Sequence, residues 1–576
     1  MFKSYWSSAV FCLFVWIFFG IIYRHHLHYQ EETQLFLFTG AYFGDSVMIP
    51  GGLTSYISCF ITQFFTDSLA GAFLLALLLL VLQILARKST VLLSDGKCCF
   101  RALSFVPAIF CFFALMDENF TPGIVVALIF SFLSTVASLL LKNNRSRLFF
   151  ILPAIPALYF AAGFSAVVFV FLSLVYAWRK EKSVFFALAA ISVYAASVYC
   201  ASLVFEQYSL TRLFFAGEYY RFPQIYPLAL ILVFVASIAI PSAAVFMPEA
   251  RQSKRIRTVA GSIFLCLLTV CGVSEFAGMK KEEVLAYNYF SRMKKWNSIL
   301  KTADGKAPDS PLSVAALNLA LSKNNTLSEF MFHYFQNGTE GLLPEFRKDY
   351  VTNMMTGEIY YHLGLINTAQ RFAFEAMESL PDRRKSVRSI RRLAETSLIN
   401  GQYEVCRKYL SILRKTLFYR KWAEETMKLS ESEEKIDSHE EYGLLRRFRP
   451  QNDFLFSEHE KDMILGMLYR QNNRNRAAYE YLLAFQLLKK DLKKFYLYYR
   501  LKNRTDTAVP ESYGEALAVI SRQKDMNLQF HDSAPENRIV EAFVDFSNRY
   551  RNNCSEKQLF EMYGKTYWYY LTFRSN

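Results

Sequence analysis

Ionisable side chains gather where so apolar a chain would be expected to hold few. Between Arg24 and Phe65 the sequence runs Arg24-His25-His26-Leu27-His28-Tyr29-Gln30-Glu31-Glu32, then Leu35-Phe36-Leu37-Phe38, Asp45, Pro50-Gly51-Gly52-Leu53 and Thr62-Gln63-Phe64-Phe65. Glu31 and Glu32 are of a type that takes a proton from an attacking hydroxyl. Arg24, His28 and Gln30 can hold a polar or anionic group. His25, His26 and His28 are of a metal-binding type, but neither helical nor extended spacing brings all three to one face. Each group also has a structural reading. Arg24 and the histidines can anchor the chain at a membrane interface, and the two glutamates can cap a surface helix or pair with Arg24. Two later stretches carry similar side chains: Asp117-Glu118-Asn119, and Glu206 to Pro227 with Arg212, Glu218 and Arg221 among aromatics. Asp117 and Glu118 also precede a helix expected from Pro122, where acids meet the dipole favourably.

The elements that must position these residues follow from composition. The chain has 576 residues, 53% hydrophobic, and a net charge of +15. The apolar excess lies before Phe276 and most of the charge after it, so a membrane half precedes a water-soluble half. No basic run is interleaved with exposed aromatics, and nucleic acid is not an expected partner. Ten cysteines, Cys98-Cys99 adjacent among them, form no pairing framework. No cofactor is indicated. A divalent cation would suit the acids, but nothing requires one.

A bilayer core requires about 20 apolar residues per helix, and about nine segments qualify. They run Tyr5–Tyr23, Ser68–Ala86, Leu103–Met116, Pro122–Leu141, Leu148–Ala162, Ser165–Trp178, Val184–Phe205, Tyr226–Phe246 and Val259–Phe276. Every second connection is basic: Arg87 to Arg101, Lys142 to Arg147, Arg179 to Lys182, and Arg251 to Arg257. The positive-inside rule then places the N-terminus in the cytoplasm and everything after Phe276 outside. The apolar run Leu148 to Trp178 decides the parity. Two short helices turning at Ala162-Gly163 fit the charges, whereas one long helix would reverse all that follows. The helix interiors hold almost no ionisable groups, which argues against an ion-coupled transporter.

With this topology the membrane half resembles the GT-C fold of membrane glycosyltransferases, in which a first helix is followed by a long outer loop with surface helices and an acid. That resemblance implies that Glu31 or Glu32 is the first-loop acid and Asp117 or Glu118 the second. Arg212 or Arg221 would face the phosphate of a polyprenyl-linked substrate. The chain lacks the Asp-x-Asp of better-marked members. The pattern Tyr29-Gln30-Glu31, Gln34-Leu35-Phe36, Pro50-Gly51-Gly52-Leu53 and Thr62-Gln63-Phe64-Phe65 is more closely similar to an uncharacterised family of Bacteroidetes membrane proteins, which implies a bacterial envelope and no activity.

From Lys280 the pattern becomes short amphipathic helices. Gly357, Tyr360, Ala369, Ala376 and Pro381 resemble a tetratricopeptide repeat, with Phe372 and Phe374 flanking Ala373 where an aromatic is usual. Further copies are read at Ala394–Cys406 and Gly466–Ala478. The expected fold is therefore all-α: a polytopic transmembrane helical bundle over 1–277, with a long first outer loop over 24–67, then a soluble TPR-like α-solenoid over 278–576. Three functions stay open. One is a GT-C-like transferase whose solenoid holds an acceptor or protein partner. The second is a non-enzymatic envelope scaffold, and the third an uncoupled lipid or polymer transporter. Membrane lipids are partners in each.

Overall fold

The structure, a computed structural model, describes residues 6–94, 101–180, 184–222, 224–246, 254–381, 384–451, 457, 459–501, 509–522 and 535–574. Cys98-Cys99 and the basic residues Lys97, Lys182 and Arg251 lie outside them. Among the described residues the chain is helical, with one isolated antiparallel bridge, Phe120 to Tyr220, and no strands. It divides into two compact units. The first comprises Met1–Glu282 together with two later stretches, Pro381–Val387 and Ile412–Lys421. The second holds the remainder.

In the first unit, α1 (Trp6–Ile17) continues through a π-helical turn to Ile22 and bends by 77° into α2 (His25–Glu32). Then come α3 (Gly40–Val47), α4 (Gly52–Thr62), α5 (Ser68–Leu93), α6 (Val106–Ala114) and α7 (Gly123–Leu140). They are followed by α8 (Asn144–Ala162), α9 (Ala166–Lys180), α10 (Val184–Val204), α11 (Leu210–Phe214), α12 (Leu228–Phe246) and α13 (Lys254–Phe276). Among the described residues six helical stretches are long and apolar enough to cross a membrane: α5, α7, the α8–α9 run, α10 from Phe186, α12, and α13 from Val259. The α8–α9 run is folded back on itself. Arg147 at its start lies 4.3 Å from the ring centroid of Tyr176 near its end, so the chain reverses at Gly163, whose φ of +60° suits a residue without Cβ.

That reversal takes part in a three-way backbone crossing. Gly51 (φ +79°), Gly163 and Gly217 (φ +117°) meet there. The Gly51 N–H donates to the Phe160 carbonyl at 2.9 Å and the Phe164 N–H to the Ala216 carbonyl at 2.6 Å. A Cβ on Gly51 would stand 2.7 Å from the Gly217 Cα, and one on Gly163 1.9 Å from the Ala216 oxygen. The first loop, the α8–α9 turn and the stretch after α10 are thereby fixed to one another.

The loop helices differ from the expected surface pair in one respect. The buried side of α4 is polar, made by Thr54, Ser58 and Thr62. Ser58 Oγ accepts from the Gly123 N–H at 3.0 Å, so it is Ser58, not Asp117 or Glu118, that occupies a donor at the start of α7. The aromatics Phe36, Phe38, Tyr42, Tyr56 and Phe60 form their own cluster, with centroids 5.0 to 6.3 Å apart.

The second unit is built from helix pairs. After α14 (Met279–Arg292), which begins in the first unit, come α15 (Trp296–Gly305), α16 (Pro311–Lys323), α17 (Leu327–Phe330), α18 (Tyr350–Leu363) and α19 (Ile366–Glu378). In the α18–α19 hairpin Gly364 closes the turn at φ +93° and Tyr360 stacks on Phe372 at 5.5 Å. A Cβ on Gly357 would lie 3.1 Å from that of Phe372, so the small residue sets the approach of the pair. Of the aromatics beside Ala373, Phe372 is buried and Phe374 exposed. Next are α20 (Val387–Ile399), α21 (Tyr403–Leu413) and α22 (Arg420–Leu429), whose ends at Val387, Ile412–Leu413 and Arg420–Lys421 belong to the first unit, then α23 (Glu433–Ser438), α24 (Glu440–Phe448), α25 (Lys461–Gln471) and α26 (Arg476–Leu488), with further helices to Phe573. At that end Tyr567, Trp568, Tyr569 and Tyr570 are buried, against Phe332 and Phe543 among others.

Gly163→Ala should cost about 3 kcal/mol or more, because the new methyl meets backbone in a conformation it resists. Gly40→Ala, with nothing within 4 Å of the added carbon, should be silent. Thermal unfolding in detergent compares the two, and equal melting temperatures would refute the crossing.

Candidate functional site

The short helix α2 carries the ionisable cluster, and every residue from His25 to Glu32 is buried. It is held at its N-terminal end by a residue that no local signal marks. Glu282 Oε1 accepts the His25 N–H at 2.6 Å and Oε2 the His26 N–H at 3.1 Å, where helix amides have no intrahelical partner. Tyr23, just before α2, donates its hydroxyl to the Met116 carbonyl at 3.1 Å and accepts the Gly278 N–H at 3.2 Å. Glu282 sits beside Glu283 in the sequence, and only the tertiary fold separates their roles.

At the far end of α2 three loops are joined. Gln30 Nε2 donates to the carbonyls of Phe120 at 2.7 Å and Glu118 at 3.3 Å. Arg221, 3% exposed, donates to the Gln30 carbonyl at 2.9 Å and to the Thr33 hydroxyl, with its guanidinium 5.6 Å from the Tyr29 ring centroid. Its backbone N–H reaches the Asn119 carbonyl at 2.9 Å. Among the described residues these partners are oxygen dipoles rather than a carboxylate, and burial lowers the Arg221 pKa.

The remaining candidates fall into separate environments. Arg24 is exposed and its Nε lies 3.2 Å from His25 Nε2. His28 Nδ1 is 3.0 Å from the Phe65 carbonyl, while His26 packs edge-on to Tyr23 at 4.7 Å. Among the described residues no group of three or more His, Cys, Asp or Glu is placed to hold a metal ion. Glu31 accepts the Tyr419 hydroxyl at 2.7 Å, and the Glu32 carbonyl accepts the Ser386 hydroxyl at 2.6 Å. Both partners come from the later stretches that belong to this unit, as does Arg384, which pairs with Glu218 at 2.7 Å. Glu118 is ion-paired with Lys281. Asp117 accepts from the Asn119 N–H at 2.9 Å and from the Tyr220 hydroxyl at 3.3 Å, and burial followed by the neighbouring Glu118 raises its pKa.

Arg212 belongs to α11. Its guanidinium lies 4.5 Å from the Tyr208 ring centroid, in the lining of a cavity of about 480 Å³. The walls are mostly apolar, with Leu230, Ile231, Phe234 and Val235 from α12 on one side and Pro50 and Gly217 of the glycine crossing on another. Arg212 and Glu218 are the charged residues among its lining, which Tyr220 joins. Sequence reasoning gave Arg212 a site role and Tyr220 only a place among the aromatics of that stretch, yet Tyr220 links the cavity to Asp117. The structure thus joins Gln30, Glu118 and Arg221, leaves Glu31 beside Tyr419, and puts Arg212 with Tyr220 at the cavity.

Apolar spans in the first unit, with loops locked together by buried polar contacts, define an all-helical membrane protein. The chain belongs to a family of unknown function, DUF6057, whose model matches residues 2–574. No curated protein and no solved structure matches it.

Burial pushes the Glu282 carboxyl up to about 8, against the pull of the two N–H donors and Arg24. The folded chain therefore keeps a proton that the unfolded chain releases near the ordinary value of 4.5. Stability from this group is complete below that value and is lost as the pH rises through about 8. Glu282→Gln, which cannot ionise, should show a flatter melting temperature over that window in detergent, and parallel profiles would contradict the assignment. Glu282→Ala leaves the donors unmet and should cost about 1–3 kcal/mol.

Proposed function

We propose that this protein is a GT-C-like transferase of the bacterial inner membrane, acting on a substrate carried by a polyprenyl phosphate. The observation that carries this reading is the mostly apolar cavity with Arg212 in its lining. An isoprenoid chain fits walls of leucine, isoleucine, valine and phenylalanine, and a guanidinium fork matches a phosphate bidentately. Asp117 stands one side chain away behind Tyr220, with a raised pKa suited to a general base. In the reaction an acceptor hydroxyl attacks the anomeric carbon of the donor sugar and gives its proton to Asp117. The bond from that carbon to the phosphate oxygen breaks, and the lipid phosphate leaves against Arg212. Glu31, Glu32 and Glu118 serve this reading less well, because Glu31 and Glu118 are engaged by Tyr419 and Lys281 and Glu32 lies buried in α2.

The reading places the N-terminus in the cytoplasm and the solenoid, taken as TPR-like, in the periplasm, where it presents an acceptor or a protein partner. Support comes from the basic connectors at one end of the bundle. Arg147 donates to the Ser138 carbonyl at 3.1 Å and Arg179 to the Leu93 carbonyl at 2.6 Å, at the ends of α7 and α5 remote from Asp117. An alkaline phosphatase fused to the C-terminus should be active and a green fluorescent protein dark. The reverse would overturn the orientation and with it the proposed chamber.

Native mass spectrometry of the protein extracted from its own membranes tests the substrate class. Wild type and Asp117→Asn should both retain a polyprenyl phosphate, Arg212→Ala should lose most of it, and only wild type should support transfer. Retention unchanged in Arg212→Ala refutes the site. An Asp117→Asn variant that fully complements a deletion favours the scaffold reading instead.

A further inference from the structure

The second unit contains a cavity of another chemical character. It measures about 750 Å³, within the range of small-molecule sites, and is lined mainly by polar groups. It forms where turns of successive helix pairs meet: the start of α19, the α20–α21 turn, the end of α24 and the end of α25. Asn367, Asn400, Gln402, Gln451, Gln471 and Asn472 bring amides, and Arg446, Arg447 and Arg449 bring guanidiniums. Among the described residues neither aspartate nor glutamate lines it.

The three arginines are not equivalent. Arg446 is committed to Glu433, Asp437 and the Tyr403 hydroxyl, and its Nε donates to the Ile399 carbonyl at 3.3 Å. Arg449 donates to the same carbonyl at 2.9 Å, closing the C-terminal end of α20. Arg447 is exposed, and among the described residues no carboxylate pairs with it or with Arg449. Its own carbonyl is held by Asn472 Nδ2 at 2.9 Å, which fixes the backbone from which the side chain projects. The cavity also receives the first turn of the 13-residue α19, Leu365 to Thr368, whose N-cap Leu365 offers no side-chain acceptor to its amides. Helix amides and guanidiniums in one lining favour an anion.

The rest of the lining decides what the anion is attached to. Among the described residues no aromatic ring lines the cavity, which leaves a nucleobase nothing there to stack on. Apolar lining among the described residues is Leu365, Ile366 and Pro450, little to seat the hydrophobic side chains of a peptide. Amides supply donors and acceptors side by side, as vicinal hydroxyls do, and Asn400 Nδ2 already donates to Asn367 Oδ1 at 2.8 Å in the same pattern. We infer that this cavity is a binding site for an anionic saccharide, one bearing a phosphate or a carboxylate. The inference does not depend on the transferase reading, because it concerns binding without turnover.

Saturation-transfer NMR and calorimetry on the full chain in detergent test it with four probes: glucose 1-phosphate, glucuronic acid, glucose and inorganic phosphate. The two anionic sugars should bind saturably and compete with one another, more tightly than inorganic phosphate, while glucose should not bind measurably. Arg447→Gln, at an exposed position, should melt with the wild type and weaken both sugars about tenfold. Gln402→Ala should weaken them without changing inorganic phosphate. Absence of saturable binding, unchanged affinity in Arg447→Gln, or inorganic phosphate binding as tightly as the sugar phosphate would each overturn the proposal.

Discussion

Gly51, Gly163 and Gly217 cross at backbone distance, and much of the first unit follows from that crossing. A single Cβ at Gly51 or Gly163 would place carbon 1.9 to 2.7 Å from neighbouring backbone atoms. Contacts so close admit no side chain and few alternative packings. The crossing fixes three connections that would otherwise move independently: the long first loop, the α8–α9 turn and the stretch between α10 and α12. It also builds part of the cavity wall through Pro50 and Gly217. The apolar chamber and the loop architecture are therefore one feature.

A second constraint is the polar joint on α2. Burying a guanidinium and several carboxyls beside a membrane is costly unless each meets a partner. Arg221, Gln30 and Glu282 meet that requirement mainly with backbone groups, which ties the start of α14, the 117–121 turn and the 217–222 stretch to one short helix. The densest ionisable cluster in the sequence consequently does much structural work. At its margin Tyr220 connects Asp117 to the cavity that Arg212 also lines.

Much of the first unit is legible in the sequence because long apolar runs and turn glycines are local signals. The Ala162-Gly163 reversal, the Pro50-Gly51-Gly52 break and the α18–α19 pair around Gly357 and Phe372 are all of this kind. The Glu282 contact is not, because it joins positions more than 250 residues apart and the acid has an acidic neighbour of similar local character. The placement of Pro381–Val387 and Ile412–Lys421 in the first unit is equally hidden: their contacts, Ser386 to Glu32 and Tyr419 to Glu31, rest on ordinary hydroxyls. The buried face of α4 is likewise hidden, since Thr54, Ser58 and Thr62 are hydroxyl residues that no apolar stripe marks as inward. The cationic cavity of the second unit arises where four connections converge, and no window of sequence contains them all.

The most direct test of the central claim is electron cryomicroscopy of the protein in nanodiscs made from its native lipids. The account predicts elongated density running along α12 between Leu230 and Val235, ending in a compact head beside Arg212 and Tyr220. A cavity closed by its own side chains, or lipid density confined to other faces of the bundle, would contradict it.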